Sequence, residues 1–245
     1  MISCGEAHLE LFRLVQKMND DTRVSIPDEY FREYMLKRHQ IENDGKTVSY
    51  GEIKDVTDVD CSSQLIKSLE GIQYFTALTH LCCFNNELTS LDVSLNTALM
   101  YLQCSENKLI SLDLSKSTAL IDLRCGDNQL TSLDVSKSTA LEGLNCAQNQ
   151  LTSLVFSKNT ALEDLNCSEN QLTSLDVSKC TLLDVLLCWE NKLTSLDISE
   201  NTALDFLNCS LNQLTSLDMS NNPNLTEVKL SGNPGTWWEE LEREE

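Results

Sequence analysis

From residue 78 onward the apolar positions recur in a fixed order. Leu78, Leu99, Leu120, Leu141, Leu162, Leu183, Leu204 and Leu225 stand 21 residues apart. Three residues after each comes a second series, Leu81 to Leu207, closed by Val228. Two residues further a third series runs from Cys83 to Cys209 and closes with Leu230. An asparagine series, Asn86 to Asn233, follows three residues later, and the series beginning at Leu88 and Leu91 complete the frame. Leu81 and Cys83 alternate with His80, Cys82 and Phe84, the period of a strand with one face inward. A coil of this size cannot bury its apolar face alone, so coils must stack. The strands then form a parallel sheet with rungs ~4.8 Å apart, roughly 34 Å along its seven intervals. Each series asparagine is placed to turn the chain and bond backbone groups that the turn leaves unpaired. The return path, such as Thr89-Ser90-Leu91-Asp92-Val93-Ser94, lacks a helical period and reads as extended or 3₁₀ structure.

The unit L-x-x-L-x-C-x-x-N-x-L-x-x-L-D-V-S-x-N/S-T-A is the leucine-rich-repeat pattern with cysteine at its third apolar position. The fold class is an α/β solenoid: a right-handed leucine-rich-repeat superhelix with a parallel concave sheet. Cys61 lies 22 residues before Cys83, so residues 59–77 read as a degenerate first coil with one extra residue. An open solenoid needs caps. Residues 6–18 form an amphipathic helix through Leu9, Leu11, Phe12, Leu14, Val15 and Met18. Pro27 opens a second helix over 28–38, with Phe31, Tyr34 and Met35 on the side that covers the first coil. At the other end Trp237 and Trp238 read as a lid, or alternatively as an exposed aromatic patch. The organisation is therefore an N-terminal segment with a short helix (1–25), a helical cap (26–60), the repeat domain (61–235) and a C-terminal cap with acidic tail (236–245).

Charge narrows the partners. Asp and Glu number 38 against 18 Lys and Arg, a net charge of −20, which repels nucleic acid and anionic membrane surfaces. No apolar run approaches the roughly 20 residues needed to span a bilayer. The 11 cysteines are too many, in too long a chain, for a small disulfide scaffold. The ladder thiols read as small buried hydrophobes: in-register side chains point the same way, which suits neither disulfide geometry nor converging zinc ligands. Cys82 points to the concave surface and Cys180 to the opposite turn. The opening Met1-Ile2-Ser3-Cys4-Gly5-Glu6 matches the end of a lipobox with Cys4 as the lipidated residue; the alternative is a free cysteine.

No enzyme reading emerges. His8, His39 and His80 are far apart, and no phosphate loop, metalloprotease motif or nucleophile elbow occurs. No metal or other cofactor is expected. The series Asp92, Asp113, Asp134, Asp176, Asp197 and Asp218, broken by Val155, reads as turn capping or as a row for cations. The stretch Gln40, Glu42, Asp44-Gly45 and Glu52 fits a calcium loop badly: with Gly45 sixth, Glu52 falls thirteenth.

The 21-residue unit with its cysteine ladder resembles bacterial surface leucine-rich-repeat proteins of the internalin class over residues 26–235. The entry segment, Ile26-Pro27-Asp28 through Val56-Thr57-Asp58-Val59-Asp60-Cys61-Ser62, is similar to related repeat proteins of gut bacteria. The resemblance implies an adhesin exported to the cell surface, with a lipid on Cys4 or plain secretion as the two alternatives for its attachment. It names no ligand.

The concave sheet is the default binding face, its outward side chains free of structural duty. Most are polar or acidic, but Val185, Leu187, Trp189, Phe206 and Leu211 form an apolar patch where other repeats carry Asn, Ser or Asp. Tyr101 and Phe84 add aromatic surface in earlier repeats. Such a patch marks an interface, and Trp is a favoured anchor; self-association, or cover by the C-terminal lid, would explain it too. The expected function is non-enzymatic binding of a protein partner through the concave face, with glycan binding, Trp189 and Tyr101 acting as stacking platforms, as the alternative.

Overall fold

The computed structural model describes the backbone of residues 4–39 and 47–235, and the side chains of residues 9–38 and 47–235. The repeats build the expected solenoid. Nine three-residue strands form one parallel sheet in strict chain order: β3 (Asp58–Asp60), β4 (His80–Cys82), β5 (Tyr101–Gln103), β6 (Asp122–Arg124), β7 (Gly143–Asn145), β8 (Asp164–Asn166), β9 (Val185–Leu187), β10 (Phe206–Asn208) and β11 (Glu227–Lys229). Register follows the repeat: Leu81 pairs with Leu102, Leu102 with Leu123, and so on to Leu207 with Val228. The central residue of each strand from β3 to β10 is buried, as is each ladder cysteine after it. The repeats' return paths carry turns and no helix; the 3₁₀ turn Ile72–Tyr74 belongs to the first coil. The extra residue of that coil sits beside it. Ile66 and Leu69 hold a 22-residue offset to Leu88 and Leu91, whereas Ile72 and Leu78 hold 21 to Val93 and Leu99. Gly71 between them has φ 108°, and a Cβ there would meet the Ser25 carbonyl oxygen at 2.9 Å, so glycine is required.

The ladder asparagines bind coil to coil. Asn149 is typical: its Nδ2 donates to the carbonyls of Cys146 and Ala147 in its own coil and Cys125 in the coil before. Its Oδ1 accepts the Leu130 amide at 2.9 Å. The row of exposed aspartates is explained the same way, locally. Each Oδ1 accepts the amide of the serine two residues on, as from Ser94 to Asp92 and Ser178 to Asp176, which is the turn-capping reading. That bond holds the Asp134, Asp176, Asp197 and Asp218 carboxyls below their ordinary pKa.

A second polar ladder lies on the convex side. Asn96, Ser117, Ser138, Asn159, Asn201 and Asn222 are buried at 21-residue spacing or its multiples. Asn201 Nδ2, for example, donates to the carbonyls of Val177 and Cys180. Cys180 occupies this series, buried, which accounts for a thiol that stands outside the main ladder.

The N-terminal cap is more elaborate than two helices. α1 (Cys4–Val15) buries Val15 but leaves Leu9, Phe12 and Leu14 about half exposed. β1 (Arg23–Ser25) and β2 (Thr47–Ser49) pair antiparallel. α2 (Glu29–His39) places Phe31 and Met35 in the core, with Phe31 6.3 Å from the Phe75 ring. Asp28 caps α2 through the Phe31 amide, and its other oxygen accepts the amides of Lys67 and Ser68, fastening the helix to the first coil. Glu52, in the short helix α3 (Tyr50–Ile53), accepts the Ser49 amide, as a helix-capping residue does. Gln40, Glu42, Asp44 and Gly45, together with Trp237 and Trp238, lie outside the described residues. Among the described residues no helix is long and apolar enough to cross a membrane.

Candidate ligand-binding surface

On the concave face the in-register strands line up three outward columns. The first runs Asp58, His80, Tyr101, Asp122, Gly143, Asp164, Val185, Phe206 and Glu227; the second runs Asp60, Cys82, Gln103, Arg124, Asn145, Asn166, Leu187, Asn208 and Lys229. Two residues past each strand stand Ser62, Phe84, Ser105, Gly126, Ala147, Ser168, Trp189, Ser210 and Ser231.

Not all these side chains are free of duty, contrary to expectation. Gln103 accepts the Ser105 amide, Asn145 that of Ala147, Asn166 that of Ser168 and Asn208 that of Ser210. Asp60 does the same for Ser62. A polar second-column residue therefore ties down a small third-column residue. Cys82 keeps to the pattern, its sulfur accepting the Phe84 amide. From β3 to β10 the bond is missing at β6, where Arg124 has no acceptor for Gly126, and at β9, where Leu187 precedes Trp189. Leu187 has no acceptor to offer, so this rung gives up a hydrogen bond that its neighbours β8 and β10 both make.

The seven sequence-selected residues fall into two groups. Val185, Leu187, Trp189 and Phe206 come together on β9, β10 and the turn after β9. They are half-buried rather than exposed, because rungs so close shield one another. Lys229 also covers part of Phe206, its Nζ 5.2 Å from the ring centroid. Leu211 is 51% exposed but lies in the turn at φ 54°, over Gly232, at the rim of the sheet. Tyr101 and Phe84 stand at the other end, on β5 and beyond β4, separated from the first group by β6 to β8. Tyr101 stacks on His80, centroids 4.5 Å apart and planes 11° from parallel.

Between the two aromatic ends the floor is low. Phe84 and Trp189 are five rungs apart, roughly 24 Å. A depression of about 290 Å³ lies over β6 to β9, lined by Asp122, Arg124, Gly143, Asn145, Asp164, Asn166, Val185 and Leu187 among others. A second, of about 500 Å³, lies over β3 to β6 among Asp58, Asp60, His80, Cys82, Phe84, Tyr101, Gln103 and the same Asp122 and Arg124. Together they make one trough. Its charge is negative: Arg124 is held by Asp122 at 3.1 Å. Burial, and then the nearby carboxylates of Asp184 and Asp122, raise the Asp164 pKa. The repeat register places Asp122, Arg124, Asn145, Asp164 and Asn166 of the floor on the concave face as well as the trough's ends, but passes over Gly143, which has no side chain. Burial raises the Cys82 pKa, so this half-buried thiol is a poor nucleophile. Among the described residues no group of three or more His, Cys, Asp or Glu could hold a metal ion.

No protein-family model and no curated protein sequence matches the chain. Solved structures do. The functional domain of internalin J from Listeria monocytogenes, which includes a cysteine ladder, is 36% identical with a TM-score of 0.73, over 89% of this chain and 54% of that one. Internalin C2 from the same organism gives a TM-score of 0.78 at 21% identity, over 84% of this chain and 94% of its own, a likeness of fold alone. A leucine-rich-repeat protein of Leptospira interrogans, LIC12759, gives 0.67 at 25% identity, over 75% of this chain and 50% of that one. The chain spans about half of the internalin J domain it matches. The shared repeat, the parallel sheet and the ladder of free, buried cysteines support one conclusion: the chain is an internalin-like leucine-rich-repeat solenoid of the cysteine-ladder type.

Proposed function

We propose that this solenoid binds a protein partner in its concave trough, as an adhesion module at the bacterial cell surface or secreted from it. Its solenoid neighbours are typically non-enzymatic binding modules. The observation that carries the reading is the Leu187–Trp189 rung, where the hydrogen-bonded polar pair used by the neighbouring coils β8 and β10 is replaced by an apolar pair at the trough's end, with Leu187 in its lining. An apolar pair set among polar neighbours on an open face is the mark of an interface. Leu187, Trp189, Val185 and Phe206 supply the anchors at one end, Tyr101 and Phe84 at the other, and Leu211 extends the rim. Anchorage through a lipid on Cys4 belongs to this reading, and labelling of the expressed protein by a fatty-acid analogue, abolished in Cys4→Ala, tests it.

A glycan is the second reading, favoured by the larger depression. His80 and Tyr101 there lie among carboxylates, an amide and a guanidinium that can bond sugar hydroxyls. Parallel arrays of extracellular proteins and of glycans, probed with the wild type and Trp189→Asn, separate the two. Protein capture lost in Trp189→Asn supports the first reading. Glycan capture that survives Trp189→Asn and is lost in Tyr101→Ala replaces it with the second.

A further inference from the structure

Gly143 opens β7, the middle strand of the nine. Every other residue in its column carries a side chain. Glycine weakens a strand and is kept where a bulge, a bend or a close approach demands it. None applies here. Its φ is not among the positive values of the chain, and β7 pairs regularly on both sides. A Cβ would meet only the Asp122 carboxylate, at 3.0 Å from Oδ2, a flexible side-chain end. The coil thus has no need of this glycine. What it creates is the notch in the trough floor, with Asp122 and Asp164 on the rungs to either side and the apolar ledge of Val185 and Leu187 beyond.

The charge around the notch is unbalanced. Asp122 is matched by Arg124, but Asp164 has only further carboxylates close by, those of Asp184 and Asp122, and Arg124 on the next rung but one. A basic side chain entering over Gly143 would neutralise Asp164 and lay its aliphatic stem on Val185 and Leu187, as long cationic side chains do on apolar surface. The trough is about 24 Å long between its aromatic ends, the reach of roughly seven extended residues.

Resting on the reading of the trough as a protein-binding face, we infer that its occupant is an extended basic segment of the partner. A lysine or arginine fills the Gly143 notch between Asp122 and Asp164, and apolar side chains meet the walls at Trp189 and Phe84.

Capped heptapeptides Leu-Ser-Thr-X-Thr-Ser-Leu, with X as Arg, Gln or Glu, serve as probes of the full chain by amide-resolved NMR titration. The Arg peptide should shift the amides of Gly143, Asp164 and Leu187 and bind at least tenfold tighter than the Gln peptide, with the Glu peptide weakest. Gly143→Asn fills the notch with a residue type its neighbours carry, and Asp164→Asn removes the charge. Each should abolish the tenfold preference while leaving the melting temperature within a few degrees. Equal binding of the Arg and Gln peptides, no Arg-dependent shift at millimolar peptide, or a preference that survives Gly143→Asn overturns the inference. The broader reading fails separately, if a captured protein partner binds Leu187→Asn/Trp189→Ser as it binds the wild type.

Discussion

Alkali should unfold this protein steeply, and the cysteine ladder sets how steeply. Cys61, Cys83, Cys104, Cys125, Cys146, Cys167, Cys188 and Cys209 are free and buried. Burial lifts every one of these thiols above its ordinary value near 9, to about 12 for Cys61, Cys125, Cys167 and Cys209. The folded state therefore keeps its thiols neutral where the unfolded chain ionises them. Because the folded pKa is the higher one, the stability these groups contribute is whole below pH 9 and drains away as pH rises from 9 toward 12. At pH 10 each thiol favours the unfolded chain by a little over 1 kcal/mol. Eight together reach on the order of 10 kcal/mol, comparable to the whole stability of a domain. Urea unfolding followed by circular dichroism, under reductant at half-unit steps from pH 7.5 to 10.5, should show a midpoint that is flat at first and collapses above 9. Replacing Cys104, Cys125, Cys146 and Cys167 together by valine should roughly halve that slope, whatever it does to stability at pH 7.5. The lysines that also titrate are common to both proteins and cancel in the comparison. A midpoint unchanged between pH 8 and 10, or the same slope in the valine variant, would refute the description of the ladder as a neutral buried stack.

Other consequences are simpler to measure. Asn149→Ala orphans the Leu130 amide and leaves three carbonyls, one of them in the preceding coil, without their side-chain donor; a loss of about 4 kcal/mol by urea titration is expected, and a loss under 1 kcal/mol would show the ladder to be dispensable. Asp92→Ala, which removes one exposed turn bond, should cost no more than about 1 kcal/mol by the same assay. Leu211→Gly relieves a left-handed backbone at φ 54°, where the next coil already has Gly232, and should stabilise by about 0.5–1 kcal/mol; a destabilised variant would mean that the leucine packs rather than strains. Under native conditions Cys82, half-buried at the trough, should be the first of the described cysteines to react with a maleimide, read by mass spectrometry; faster labelling of Cys125 or Cys146 would contradict the burial.

The repeat made most of the fold legible. A side-chain series at constant spacing states which positions face inward, and Leu81, Cys83 and Asn86 with their equivalents lie where alternation puts them. The caps were legible only where a helix signal was local: Pro27 and Asp28 announce α2. The β1–β2 pair is not announced, because Arg23-Val24-Ser25 meets Thr47-Val48-Ser49 across 24 residues and neither triplet shows a period of its own. The convex ladder of Asn96, Asn159 and Asn201 was visible as N/S in the consensus, but burial, the fact that gives it meaning, is a property of the stack. On the concave face apolar outliers such as Trp189 stood out against polar neighbours. The amides of Asn145 and Asn166 looked idle, because their partners are backbone groups two residues on. Gly143 carries no side chain to notice, and only the depression it leaves draws attention to it.

The most direct test of the account sets stability against binding in one variant. Leu187→Asn/Trp189→Ser rebuilds on β9 the hydrogen-bonded pair that Asn166 and Ser168 make on β8 and Asn208 and Ser210 on β10. If the apolar rung exists for a partner and not for the coil, its urea midpoint should stay within about 1 kcal/mol of wild type, since the regained hydrogen bond offsets lost apolar contact. Affinity for a protein captured by the wild type should fall by about 2 kcal/mol or more, some thirtyfold. A variant that unfolds early while its folded fraction binds as before would contradict the account, and would make Leu187 and Trp189 part of the scaffold.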